Sequence, residues 1–190
     1  MPTSIAIVIA GLGGASGDGA ALVSLAAPHL EGVHTELCVL ASRPGFAAHE
    51  RILAAASGLV FVTGTYWDGW SSHLQRFLEE ATPTEATELW LGKPAAVWVT
   101  GHSVGGKGVL SRLQGVLSSF GCTIPPMSGL VITRANELAR AHDREAARDL
   151  FGPDDLVVSV HNLLESVRGT RRYRAWEVDR GDASQPWLGR

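Results

Sequence analysis

The sequence predicts an α/β fold, a doubly wound parallel β-sheet with helices on both faces. Short, nearly all-apolar runs rich in β-branched residues recur along the 190 residues, and amphipathic helical stripes lie between them. A β-α unit repeated about five times closes most simply as a parallel sheet, because each crossover helix must return the chain to the same edge. Apolar residues are 45% and charged residues 18%, which supplies a core for a single domain over residues 1–190.

The elements follow in order. Ile5-Ala6-Ile7-Val8-Ile9-Ala10 is apolar at every position, as in a central strand buried on both faces. A helix over 18–27 comes next, then a partly alternating run at 33–40 with Leu37 and Val39 apolar and Thr35 and Glu36 polar, which suits an outer strand. A second helix is expected over 47–56, and Leu59-Val60-Phe61-Val62 reads as another inner strand. Trp70, Leu74, Phe77 and Leu78 share one helical face. Ala95-Ala96-Val97-Trp98-Val99 is a fourth strand. The clearest stripe of all follows it in Val109, Leu110, Leu113, Val116, Leu117 and Phe120, closed by Gly121 as a C-cap. Residues 129–133 form the fifth strand, and Leu156, Val160, Leu163, Leu164 and Val167 a final helix. Residues 168–190, with Arg168, Arg171, Arg172, Arg174, Trp176 and Trp187, fit no element.

Several function classes drop out. A net charge of −3 is wrong for a general nucleic-acid binder, whose affinity comes from many phosphate-paired cations. No apolar run is long enough to cross a bilayer. Met1-Pro2-Thr3-Ser4 carries no cation ahead of the first apolar run, so no signal peptide is expected and the cytoplasm is the expected compartment. Cys38 and Cys122 make neither a disulfide framework nor a metal-ligand set, and no metal is expected.

Open parallel sheets bind ligands beyond the carboxyl ends of their strands. Three loops there are rich in glycine, hydroxyls and aromatics. The first, Gly11-Leu12-Gly13-Gly14-Ala15-Ser16-Gly17-Asp18, can turn backbone N–H groups toward an anion at a helix N-terminus, with Ser16 as a further donor. It meets the dinucleotide pattern G-x-G-x-x-G only in part, since Ser16 stands at the third small position, and an ordinary glycine-rich turn explains it equally well. The second, Thr63-Gly64-Thr65-Tyr66-Trp67-Asp68-Gly69, offers two aromatics that suit either a wall for a planar ligand or a cover over the core or a subunit contact. The third, Thr100-Gly101-His102-Ser103-Val104-Gly105-Gly106-Lys107, overlaps three patterns. Gly101 to Gly105 fits the nucleophile elbow G-x-S-x-G, with Ser103 as nucleophile, Asp143, Asp149, Asp154 or Asp155 as acid and His161 as the later histidine of a serine hydrolase. His161, however, lies in the stripe of a helix, where a histidine is ordinarily structural. Gly101 to Lys107 fits the phosphate-loop spacing, but Gly108 replaces the magnesium-binding hydroxyl. The remaining reading is a donor-rich cradle for the rim of a cofactor.

Residues 57–132 together resemble the flavodoxin-like NAD(P)H-dependent FMN reductases and quinone oxidoreductases. The likeness rests on Thr65-Tyr66-Trp67, the helix over 71–80 and the approach Leu91-Gly92-Lys93-Pro94. It continues through the loop Thr100-Gly101-His102 with Gly105-Gly106-Lys107, and through Ser119-Phe120-Gly121. The resemblance implies a flavodoxin-like sheet of strand order 2-1-3-4-5. It also implies bound FMN, with NAD(P)H as co-substrate and a quinone or similar acceptor. On this chain it implies Gly14, Ser16 and Gly17 at the phosphate and Thr65, Tyr66 and Trp67 along the ring. The resemblance further implies Thr100, Gly101, Gly105 and Gly106 at the ring's polar edge, and His102 as the residue that stabilises a reduced flavin. A homo-oligomer is implied as well. Two departures from the family pattern stand out: loop one lacks a cluster of Ser, Thr or Arg and carries Asp18, and Gly64 replaces a common proline. A flavodoxin-like electron carrier or binding module without catalysis is the alternative on the same fold.

Overall fold

The computed structural model describes residues 3–145, 147 and 150–169; Asp149 and the tail from residue 170 onward lie outside the described residues, whereas Arg168, expected in no element, ends the last helix. Strands β1 (Ser4–Ile9), β2 (His34–Val39), β3 (Gly58–Gly64), β4 (Ala95–Gly101) and β5 (Gly129–Thr133) form one parallel sheet in the order β2-β1-β3-β4-β5. The expected flavodoxin-like order is the observed one. Every residue of β3 is buried, whereas four of the six in β2 are exposed, as the apolar and alternating runs required.

Helices cover both faces. On one side α1 (Asp18–Ala26) and α6 (Leu156–Arg168) pack Leu22, Leu156, Val160 and Leu163 against Ile7, Val62, Trp98 and Ile132. On the other, α2 (Glu50–Ala55), α3 (Ser72–Ala81) and α4 (Gly106–Phe120) bring Leu53, Leu74, Phe77 and Leu113 against Val8, Phe61 and Val97. The chain therefore leaves β1 toward one face and β3 and β4 toward the other, which puts the topological switch point at their carboxyl ends.

Three expectations need correction, and one further helix is present. The helix expected over 47–56 begins only at Glu50, because Phe46 to His49 form a turn in which His49 N–H donates to the Phe46 carbonyl at 2.8 Å. Trp70 lies ahead of α3 rather than on it, since Ser71 caps the helix by accepting from Leu74 N–H at 3.2 Å. His161 is not in the apolar stripe of α6: it is exposed on the outer face. A helix that the apolar pattern did not announce, α5 (Arg134–His142), follows β5. None of its residues is buried. Thr133 caps it at Asn136 N–H, and Arg140 pairs with Glu137 at 3.8 Å and Asp154 at 2.8 Å.

Cys38 and Cys122 are both free and buried, and burial pushes each thiol up to about 12, so neither presents a thiolate near neutral pH. No helix among the described residues is long and apolar enough to cross a membrane.

Candidate active site at the carboxyl edge of the sheet

The loops after β1, β3 and β4 are tied to one another by hydrogen bonds. Leu12 N–H in loop one donates to the Tyr66 hydroxyl in loop two at 2.9 Å. Thr65 N–H in loop two donates to the carbonyl of Thr100, at the end of β4, at 2.8 Å. Ser71, buried at the end of loop two, donates from its hydroxyl to the Ala10 carbonyl just beyond β1. These bonds hold the three loops around the point where strand connectivity reverses.

Loop two is a two-residue reversal. Tyr66 and Gly69 exchange both backbone hydrogen bonds at 2.8 Å, and the intervening Trp67 and Asp68 adopt φ of 49° and 59°. Both φ values lie in the left-handed region that such hairpin turns require and that Asn and Gly normally supply. Two residues with side chains there store strain, which must be offset by surrounding contacts. Those contacts come from α4. Arg112 donates to the Asp68 carbonyl, and its guanidinium carbon lies 5.8 Å from the centre of the Trp70 ring. The Asp68 carboxylate lies against Gly105, whose φ of +85° and missing side chain make the approach possible. Trp67 is left at the tip with 103% relative exposure, outside any wall that one chain builds. Tyr66 turns inward, and a Cβ at Gly64 would come within 2.9 Å of its ring. A proline at Gly64, common in the family, would collide with this placement of Tyr66.

Loop one is compact. A Cβ on Gly13 would sit 2.7 Å from Gly17 Cα, so these two glycines pack backbone to backbone. Gly14 is buried and faces Ala41 rather than the crevice, while Ser16 is exposed. Helix α1 opens after Gly17 with no side-chain cap, leaving its first N–H groups and the positive end of its dipole without a side-chain acceptor. Asp18 is the first helical residue and adds a negative charge beside that end.

Loop three has two sides. Gly101, Gly105 and Gly106 face Thr65, whose hydroxyl oxygen is buried and makes no hydrogen bond among the described residues. Thr100 is in phase with Trp98 along β4 and so faces the side of the sheet that carries α1 and α6. There Thr100, Gly101 and His102 line a cavity of about 460 Å³ shared with α1 and α5. The His102 carbonyl accepts from Ala135 N–H at 2.9 Å, which fixes this segment to the start of α5.

The serine hydrolase arrangement is absent. Ser103 does not have the positive φ of a nucleophile elbow; the left-handed residue in this loop is Gly105. His161 neighbours Asn162, which donates to the Pro126 carbonyl on the approach to the amino end of β5, whereas Ser103 follows the carboxyl end of β4. The two residues belong to opposite edges of the sheet.

The residues that tie the loops together and that pattern reading missed are Ser71, Asp68 and Arg112. Ser71 carried a signal, a hydroxyl residue directly before an apolar helical stripe. Asp68 and Arg112 carried none, because their partnership joins positions far apart in the chain.

The same architecture occurs in solved flavoproteins. RosB, solved with 8-demethyl-8-formylriboflavin-5'-phosphate, is similar at 15% identity and a TM-score of 0.69, over 87% of this chain and 79% of that one. The flavoenzyme FerB, an NAD(P)H:(acceptor) oxidoreductase from Paracoccus denitrificans, is similar at 18% identity and a TM-score of 0.66, over 86% and 98%. An archaeal flavodoxin aligns at 12% identity and a TM-score of 0.62, over 88% and 100%. No curated protein matches the sequence. Likeness at these identities shows the fold alone, but residues 7–137, most of the chain, match the model of the family described as NADPH-dependent FMN reductase. The chain belongs to that family, as an NAD(P)H-dependent flavin oxidoreductase with FMN as its cofactor.

Proposed function

We propose that the crevice enclosed by loops one, two and three is where FMN binds, and that electrons drawn from NAD(P)H leave it for a quinone or similar acceptor. The observation that carries this reading is the cross-bonding of the loops, Leu12 N–H to the Tyr66 hydroxyl and Thr65 N–H to the Thr100 carbonyl. Convergent loops at a topological switch point are the place an open α/β sheet offers to a nucleotide.

The residues present fit the group. The uncapped start of α1, with Ser16 beside it, suits a phosphate. Tyr66 and Thr65 suit the side of a planar ring, and the glycines at 101, 105 and 106 leave backbone amides approachable along its polar edge. When bound, FMN accepts hydride from a nicotinamide and returns the electrons to an acceptor. What the chain contributes is placement: Tyr66 and Ser71 lock loop two to loop one, and Arg112 and Asp68 lock it to loop three. His102, the residue the resemblance implies for stabilising a reduced flavin, lines the cavity on the α1 side of residues 100–102 rather than the crevice, so the reading gives it no contact with the ring. Leu12, Trp67 and Val104, the tips of the three loops, are 51%, 103% and 79% exposed, an apolar rim that a second copy of the chain would cover in a homodimer. The reading places the enzyme in the cytoplasm, with the nicotinamide pool.

The test is the visible spectrum of the purified protein followed by NAD(P)H oxidation in the presence and absence of a naphthoquinone. A yellow protein with quinone-dependent turnover is expected. A colourless protein that added FMN does not turn yellow would overturn the assignment of the crevice.

A further inference from the structure

The cavity between α1, α5 and residues 100–102 belongs to none of the roles described so far. The backbone of those residues separates it from the crevice, since Gly101 faces Thr65 while Thr100 and His102 face the cavity. At about 460 Å³ it has the size of a small-molecule site. Leu22 and Ile132, both buried, and Leu25, 54% exposed, give it an apolar floor. Charged groups of both signs ring that floor with bonding capacity to spare. Glu137 lines the cavity with a buried Oε1 that accepts no hydrogen bond among the described residues, and the Arg140 Nε paired with it stands 3.8 Å away. Arg134 and Asp18 line it too, and neither forms an ion pair among the described residues.

We propose that this cavity binds a free α-amino acid with an apolar side chain, its ammonium between Glu137 and Asp18, its carboxylate on Arg134 and its side chain over Leu22, Leu25 and Ile132. Arg134 and Glu137 stand at i and i+3 on α5, so opposite charges rise from neighbouring positions on one face. An α-amino acid carries its own two charges on a single carbon and can span such a pair. Arg134 is also the first residue of α5, where the positive end of the helix dipole adds to its pull on a carboxylate. Asp18 comes from α1 and gives the ammonium a second acceptor, with the Thr100 hydroxyl as a third. Neither half of the ligand suffices alone. A bare amine brings a cation beside Arg134 with nothing to offset it, and a bare carboxylic acid faces Glu137 and Asp18. The site does not rest on the flavin reading, because its ligand never enters the crevice.

Titration calorimetry of the full chain, with L-phenylalanine as the probe, should show binding. 2-Phenylethylamine lacks the carboxylate and 3-phenylpropionate lacks the ammonium, and each should bind about tenfold more weakly or worse. Arg134→Gln should weaken phenylalanine about tenfold but not 2-phenylethylamine. Glu137→Gln should weaken both of these but not 3-phenylpropionate. Ala21 lines the cavity from α1 and is solvent-exposed, so a larger side chain there fills the space without entering the core. Ala21→Trp should therefore abolish binding of all three probes, with thermal melting and flavin absorbance unchanged. Absence of phenylalanine binding to the wild type, equal affinity for the three probes, or affinity untouched by the three substitutions would overturn the site. Phenylalanine binding of this pattern in a protein that holds no flavin would retain the site and remove the flavin reading instead.

Discussion

Tyr66 does more than line a wall. Its hydroxyl is the acceptor for Leu12 N–H, and its ring lies against Gly64, so it sets the separation of loops one and two. Tyr66→Phe removes that bond and should weaken FMN binding by about 1 kcal/mol, roughly fivefold, in a fluorescence titration, with the fold intact by circular dichroism. Asp18, first in α1, would oppose a phosphate bound at the same helix end. Asp18→Asn should tighten FMN by a few tenths to about 1 kcal/mol, measured in the same titration. Far from the site, Lys93 is buried and donates to the Leu53 carbonyl at 2.6 Å and the Ala54 carbonyl at 3.4 Å, closing the end of α2. Burial lowers its pKa from 10.5 to about 8. Below pH 8 the ammonium is protonated in both states and the cost of burying it is fully present. Above it the unfolded chain binds the extra proton, so stability rises with pH until the two cysteines, ordinarily near 9.0 but held at about 12, begin to reverse the trend. Urea unfolding should show wild type gaining a few tenths of a kcal/mol between pH 8 and 9, where the cysteines offset most of the lysine's gain of about 1 kcal/mol, and Lys93→Met losing stability over the same range.

Among elements, the hairpin of loop two is the one whose conformation is least explained by its own residues. Trp67 and Asp68 gain nothing locally from left-handed φ, so the contacts with α4 hold them there. Arg112→Ala should therefore cost about 1–2 kcal/mol in chemical unfolding and speed proteolytic cleavage within 66–69. Helix α5 makes the complementary case. Its residues show no apolar stripe, and it is held by the Thr133 cap and the Arg140 ion pairs, the closer of which joins it to Asp154 beyond the helix. Apolar periodicity can find only helices that bury a face. The strands and α4 were legible because burial forced their composition, near-continuous in β3 and periodic in α4 up to the left-handed Gly121 at φ +113°.

At the scale of the molecule, the apolar tips Leu12, Trp67 and Val104 all lie at the carboxyl edge of the sheet. If a second copy covers that rim, sedimentation equilibrium should give a dimer, and Trp67→Asp should raise its dissociation constant by about tenfold or more. Trp67 is already solvated in the single chain, so the same substitution should change monomer stability little.

The α/β class, the five strands and the three loops facing one edge follow from composition and periodicity, because a strand buried on both faces admits little but apolar residues. Which loop residues meet was decided only by folding. Trp67 points out and Tyr66 in; Gly14 packs on Ala41; Thr100 and His102 turn to a cavity beside α1 while Gly101, one residue between them, faces Thr65. Side-chain direction in a turn depends on φ at single residues and on partners tens of positions away, such as Arg112 for Asp68, and neither leaves a period in the chain.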